Sequence, residues 1–486
     1  MTSDLQGVVF PTSSDGRRST IAVGRRVVAD ALRAVDPAGA RAAEQETNWR
    51  SGYLAHFRRV LEAGLGSRGA AVTVAADGLT SLRGRMRVLD GSGEETALDD
   101  WTSSDELGTA HVRGTAEPET ELSLPYHGAR LRGDDVRRRL DDWVVRGVVE
   151  PSVAEAVHAV LANPQWLRAE GSTVAVIGAG AEMGPLQALL RWGARVAAVD
   201  LPRTQVWHRV LDAARLGAGT VLVPAAPGTT DPDPACAGAD LVASAPAVAD
   251  WLGGLDGPLV LGNYVYADGA ANVRVSVAVD ALTTRLLDTR ADLALAFLAT
   301  PTDVFAVPAD AVRRATDAYA ARSATAKAFG RPLRTLSGGR LLRRAYVPGS
   351  DPGISDNLVP QQGPNYALAK RLQRWRATVS RDAGRVVSMN VAPPTRTRSV
   401  VKNRVLAAAY AGAHRFGIEV FEPATSNVLM AALLVHDLHT GGGPRHEHPW
   451  QDEAYAAVHG GLWRTPYAPR SALGLAALLG YAATRG

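Results

Sequence analysis

Apolar positions follow one pattern up to about residue 165 and another beyond it. In the first part, RRVVADALRAV and SGYLAHFRRVLEAGL carry their apolar residues at the spacing of one helical face. AAVTVAADG and RMRVLDGSGEE read instead as short strands, punctuated by Asp-Gly and Gly-Ser-Gly turns. DELGTAHVRGTAEPETELSLP is polar and aperiodic and reads as a loop. GDDVRRRLDDWVVRG and PSVAEAVHAVLAN read as two helices, the second with Pro151 in its first turn, where a missing N–H costs little. Residues 1–165 are therefore expected to form a mixed α/β domain.

From about 171 the pattern becomes strand, glycine turn, helix, strand, and it repeats. TVAVI, RVAAVD, TVLVP, DLVASA, PLVLGN, LALAFLAT and RVVSMNVAP are the strand candidates, and PLQALLRWG is a helix ending at Gly193. Repetition of that unit predicts an α/β fold over 166–486, a doubly wound parallel, Rossmann-like sheet. A stretch rich in Arg, Gly and Pro, about 304–362, reads as an insertion or lid. SALGLAALLGYAA, too short to cross a membrane, reads as a buried helix.

Composition narrows the function classes. With 46% hydrophobic and 21% charged residues among 486, the chain is of ordinary globular type. A net charge of +4, spread along the sequence, gives no basic patch of the kind that binds nucleic acid. Cys236 stands alone, which excludes an internal disulfide framework and Cys-rich metal sites. MTSDLQGVVFPTSSDGRR has no apolar core of a secretory signal, so a cytoplasmic location without membrane contact is expected. The expected partner is a small-molecule substrate, with a homo-oligomer kept open; residues 1–165 could cap the active site or form its interface.

The strongest local signal is Gly178-Ala179-Gly180-Ala181-Glu182-Met183-Gly184 between a strand and a helix, with Asp200 ending the next strand. In such a turn Gly178, Gly180 and Gly184 let the backbone approach a pyrophosphate, with Met183 beside them, and the acid about 20 residues on meets the ribose hydroxyls. NAD is the expected cofactor, and Arg203 keeps NADP open. An S-adenosylmethionine methyltransferase, or a protein that binds a dinucleotide without catalysis, would use a similar turn. Tyr366-Ala-Leu-Ala-Lys370 favours redox chemistry. On a helix its ends share a face one turn apart, and an ammonium beside a phenol favours the phenolate.

These pieces, in this order, resemble the short-chain dehydrogenase/reductase superfamily over about 171–440. VIGAGAEMG with GARVAAVDL is similar to its cofactor turn and second strand, and DLVASAP to the strand that ends in its Asn-Asn-Ala-Gly motif. PNYALAK is similar to its Tyr-x-x-x-Lys helix, and VVSMNVAPP to the strand beside the nicotinamide. The resemblance implies that Tyr366 exchanges a proton with substrate, that Lys370 holds the nicotinamide ribose, and that Pro393 lines the nicotinamide site. It implies hydride transfer to or from a carbonyl, hydroxyl or activated double bond. The chain departs from the family pattern at Glu182 and Pro394, where glycine is usual, and at Arg398, where threonine is usual. No serine stands at the usual distance before Tyr366, so Thr300 is the candidate hydroxyl, with Ser350 and Ser355 as alternatives. His436, His439, His446 and His448 match no zinc spacing; with Asp437 and Arg445 they are expected to line the substrate.

Overall fold

The computed structural model describes residues 6–483. Its centre is a sheet of seven strands: β1 (Gly108–Arg113), β2 (Thr173–Ile177), β3 (Arg195–Val199), β4 (Thr220–Ala225), β5 (Leu259–Asn263), β6 (Ala294–Ala299) and β7 (Val387–Val391). They lie in the order β7-β6-β5-β2-β3-β4-β1. The strands from β2 to β7 pair in parallel, and β1 pairs antiparallel to β4 at the edge. Counted by themselves, the parallel strands run 3-2-1-4-5-6, the Rossmann order, with the direction of winding reversing between β2 and β5. The fold is the expected α/β, Rossmann-like one.

The parallel strands are apolar runs because both faces are covered. Every residue of β2, Thr173–Ile177, is buried. On one face lie the helices Leu241–Gly253, Ala270–Thr289 and Gly363–Asp382, with Thr20–Arg33, Trp49–Gly64 and Arg68–Arg85 packed against Gly363–Asp382 in turn. On the other lie Leu186–Trp192, Thr204–Leu216 and Pro423–His439, with Pro151–Ala162 against the last of these. Between β6 and β7, residues 304–362 form an antiparallel pair, Val304–Val307 with Gly353–Asp356, and the helices Ala309–Ala320 and Ala324–Leu336.

Four local expectations are corrected. AAVTVAADG is part of the helix Arg68–Arg85 rather than a strand: Ser67 caps it by accepting from Ala70 N, and Val74, Ala75, Gly78, Leu79 and Leu82 form its buried face. Packing overrides the β-branched residues here, since a Cβ on Gly78 would come within 2.5 Å of the Trp375 ring. DLVASA opens the helix Leu241–Gly253, with the Asp240 carboxylate accepting from Val242 N at 2.9 Å. The polar stretch read as a loop contains β1, whose Ala110 and Val112 alternate inward. The final helix, Pro469–Ala483, is only partly buried, with Leu478 65% exposed. No helix among the described residues is long and apolar enough to cross a membrane.

Candidate active site

At the end of β2 the sheet opens. Gly178 N donates to Val199 O on the β3 side at 2.8 Å, while Tyr264 N, just past β5, donates to Ile177 O at 2.8 Å. Gly178 sits there at φ +89°, and a Cβ would lie 3.0 Å from the Tyr264 carbonyl group, so the position takes glycine for two reasons. Gly180 N donates to one Asp200 carboxylate oxygen at 2.7 Å, and Leu201 N donates to the other at 2.8 Å. Burial raises the Asp200 pKa, and these two N–H groups pull against it. The acid thus staples the turn to the end of β3. The helix begins at Leu186, behind Pro185, which has no N–H to offer, and Asn427 donates to the Gly184 carbonyl from the opposite side.

The turn forms one wall of a cleft of about 1410 Å³ along the carboxyl ends of the parallel strands. Gly178, Gly180, Met183, Gly184, Asp200, Thr300, Tyr366, Lys370 and Pro393 all line it, although they come from segments far apart in sequence. Ser350 and Ser355 do not: Ser350 donates to Val347 O at 2.9 Å and Ser355 to Asn357 Oδ1 at 3.2 Å. Open α/β sheets bind ligands at this edge because strand order reverses there and leaves a crevice.

Tyr366 and Lys370 stand one turn apart on the helix Gly363–Asp382. The Tyr366 hydroxyl interacts with Thr300, Thr302 and Gln362. Thr300 and Thr302 share a hydrogen bond of 2.9 Å. Burial pushes the phenol above its ordinary pKa, the Asp303 charge adds to the push, and the threonines oppose it. Burial also lowers Lys370 to about 8, with Asp303 opposing. Its Nζ donates to Gln373 Oε1 at 3.1 Å, and Gln373 Nε2 donates to Asn263 Oδ1 at 3.2 Å. Beneath the pair, Asp303 is clamped by Arg371 Nη2 at 3.0 Å and Arg374 Nη1 at 2.7 Å, all three side chains being buried. Removing one partner of a buried ionic cluster leaves an uncompensated charge, so this one holds the helix in register beside β6.

Across the mouth, Glu182 Oε2 accepts from Arg398 N at 2.7 Å and its Oε1 pairs with Arg398 Nε at 3.0 Å. Two of the three residues that depart from the family pattern, Glu182 and Arg398, are thus partners. Arg203, Arg274, Arg398 and Lys402 supply positive charge around the same cleft.

No family model matches the chain, and no curated protein matches it. Among solved structures, it is similar to A-type ketoreductases from a modular polyketide synthase, at 15% identity and a TM-score of 0.31, over 55% of this chain and 46% of that one. It is similar to an A1-type ketoreductase at 15% identity and a TM-score of 0.31, over 63% of this chain and 53% of that one. The chain thus spans about half the length of these structures. Likeness of that degree carries no argument about chemistry.

The histidine segment lies elsewhere. His436, Asp437, His439, Arg445, His446 and His448 do not line the cleft. His436 Nδ1 meets Asp437 at 3.1 Å, the His439 ring stacks on Trp166, and His446 meets Asp452 at 2.9 Å. Packing behind β7 accounts for them, and among the described residues no three His, Cys, Asp or Glu side chains converge as metal ligands. Among the polar residues that sequence reasoning passed over are Asn263, Thr302, Gln362 and Arg274, which line the cleft, and Gln373, which links Lys370 to Asn263. One signal was available: Asn263 is the lone amide closing the apolar run LVLGN at the carboxyl end of its strand.

Proposed function

We propose that this chain is an NAD(P)-dependent oxidoreductase of short-chain dehydrogenase/reductase type, with Tyr366 and Lys370 as its acid/base pair. It transfers hydride to or from a carbonyl or hydroxyl, or an activated double bond. One observation carries the reading: the glycine turn at the switch point and the Tyr366–Lys370 helix line the same cleft. The residues present suit an elongated dinucleotide, with the close backbone approach of Gly178 and Asp200 at one end and Tyr366, Lys370 and Pro393 at the other. Glu182 is no free anion beside the turn, because Arg398 neutralises it.

When bound, the dinucleotide supplies or accepts the hydride. Tyr366 then gives the substrate oxygen its proton, or takes it in the reverse direction. Thr300 and Thr302 orient that hydroxyl, and the Lys370 ammonium stabilises the phenolate left behind. Both Asp200 oxygens are taken by backbone N–H groups, so the acid shapes the turn, and Arg203 in the cleft keeps NADP(H) open beside NAD(H). Methyl transfer from S-adenosylmethionine gives the Tyr366–Lys370 pair no task, which ranks that alternative below hydride transfer.

Thermal shift with NADH, NADPH and S-adenosylmethionine, each added alone, tests the reading. A true ligand at 100 times its Kd stabilises the fold by about 2.7 kcal/mol. Stabilisation by a dinucleotide is expected, and a response to S-adenosylmethionine alone overturns the assignment.

A further inference from the structure

Beside the cleft lies a second, smaller cavity of about 80 Å³. Thr302, Pro394, Leu406 and Tyr410 line both, so the two cavities adjoin close to Tyr366. Besides Thr302 and Pro394, its wall is drawn from three segments that converge only in the fold: Asn357 to Val359 after the strand Gly353–Asp356, Leu406 to Val420 after β7, and Leu462 to Ala476 near the end of the chain. The side chains it presents are chiefly Leu358, Leu406, Ala409, Phe416, Ile418 and Leu473.

Most polar groups of this wall are engaged with other protein groups, and Arg470 Nε is buried without a hydrogen-bond partner. Asn357 Nδ2 donates to Pro301 O at 3.3 Å and its Oδ1 accepts from Ser355. Thr465 donates to Phe416 O at 2.9 Å, Arg470 is paired with Asp356, and the Tyr467 hydroxyl accepts from Arg322 at 3.3 Å. Thr302 spends its hydroxyl on Thr300 and Tyr366. A charged or strongly hydrogen-bonding group entering here would lose its water without replacement, which is unfavourable, whereas an alkyl or aryl group gains by leaving water. At the ~10–15 Å³ that a water-sized group occupies, there is room for roughly five to eight heavy atoms.

We infer that this chamber receives the apolar substituent of the substrate, and that the substrate class is a carbonyl or alcohol bearing a medium alkyl or aryl group. The inference rests on the oxidoreductase reading for the reacting end and on the chamber alone for the other. With the substrate oxygen at Tyr366, the carbon chain leads past Thr302 and Pro394 into the cavity. Leu406 and Ala409 then set how long a chain is accepted.

The test uses the full chain and two readouts. Binding of a small neutral probe, fluorobenzene, is followed by fluorine NMR and competed with methyl ketones from butanone to decanone. The same ketones are offered as substrates while oxidation of NADH or NADPH is measured. Competition should strengthen about fourfold per added methylene until the chamber is full and then level off, and KM should follow it. Ala409→Phe should move the plateau to shorter chains and Leu406→Ala to longer ones, each checked for an unchanged melting temperature. Oxidation that proceeds equally for every chain length and ignores both variants overturns the chamber and leaves the oxidoreductase reading intact. Length-dependent competition without dinucleotide oxidation supports the chamber and overturns the oxidoreductase reading. Absence of probe binding together with a flat KM series overturns the inference.

Discussion

Lys370 donates from Nζ to Gln373 Oε1 at 3.1 Å, one turn along its own helix, and so has its proton held by a neutral amide. Burial has brought its pKa from 10.5 down to about 8. The ammonium is therefore present below about pH 8 and lost above it, and in the proposed mechanism the charge that would favour the Tyr366 phenolate goes with it. Ketone reduction is expected to fall as pH rises through about 8, and Lys370→Met should remove that limb from the kcat profile. Gln373→Ala takes away the acceptor of the charged form and should move the limb down by about one pH unit. Asn263→Asp places a carboxylate behind Gln373 and should move it up. A limb that stays in place in all three variants assigns the titration to another group.

Tyr366→Phe isolates the hydroxyl. The ring keeps its edge-on contact with Tyr266, whose centroid is 6.1 Å away, so the fold and dinucleotide binding should survive. Turnover should drop by something like the 10²–10⁴-fold associated with a general acid. Single-turnover hydride transfer, followed beside a calorimetric Kd for the dinucleotide, separates the two effects. Unchanged turnover removes Tyr366 from the chemistry.

The parallel sheet was legible because burial on both faces turns each strand into a short, nearly unbroken apolar run, as in TVAVI. β1 escaped because it lies at the edge, where only Ala110 and Val112 point inward and the polar alternates blend into the surrounding loop. DLVASA was misread because a short apolar run has no decisive period, and the information lay in Asp240, a side-chain cap. The glycine turn and Tyr366–Lys370 could be found since each is a local spacing on one element. Gln373 and Asn263, 110 residues apart, and the apolar chamber, built from three segments, are products of tertiary packing and leave no local pattern.

Asp200 gives a prediction that differs from the usual one for an acid ending the second strand of a dinucleotide fold. Both of its oxygens are already bonded, to Gly180 N and Leu201 N, so the carboxylate shapes the turn before it meets any ribose. Asp200→Ala should therefore weaken NADH and NADPH alike and lower stability by roughly 2–4 kcal/mol, the scale of charge-assisted bonds lost to buried N–H groups. Arg203→Ala should leave NADH binding near its original value and weaken NADPH selectively, since only the latter carries a 2′-phosphate. Calorimetric titration of each variant with both dinucleotides reads the pattern directly. Selective improvement of NADPH binding in Asp200→Ala would return the carboxylate to a ribose-selecting role.

Glu182 provides the sharpest test of how the cleft admits its ligand. Its carboxylate joins the glycine turn to Arg398 on the opposite lip, through the Arg398 backbone N–H at 2.7 Å and the guanidinium at 3.0 Å. Arg398 is 66% exposed in this pair, so the contact is screened and contributes little to stability, within about 1 kcal/mol. A pyrophosphate arriving at the turn brings negative charge towards the same place, and Glu182 then competes with it for the charge of Arg398. Glu182→Gln should release Arg398 and tighten dinucleotide binding by about threefold to fivefold, with a melting temperature close to that of the parent. Arg398→Ala should do the opposite, because it leaves the Glu182 charge uncompensated beside the phosphates. In the double variant the two effects should cancel most of each other, which a cycle of four Kd values at low and high salt will measure. If Glu182→Gln instead weakens binding, the carboxylate is holding the lip in the shape the ligand requires, and the two sides of the cleft are joined for support rather than in competition with the phosphates.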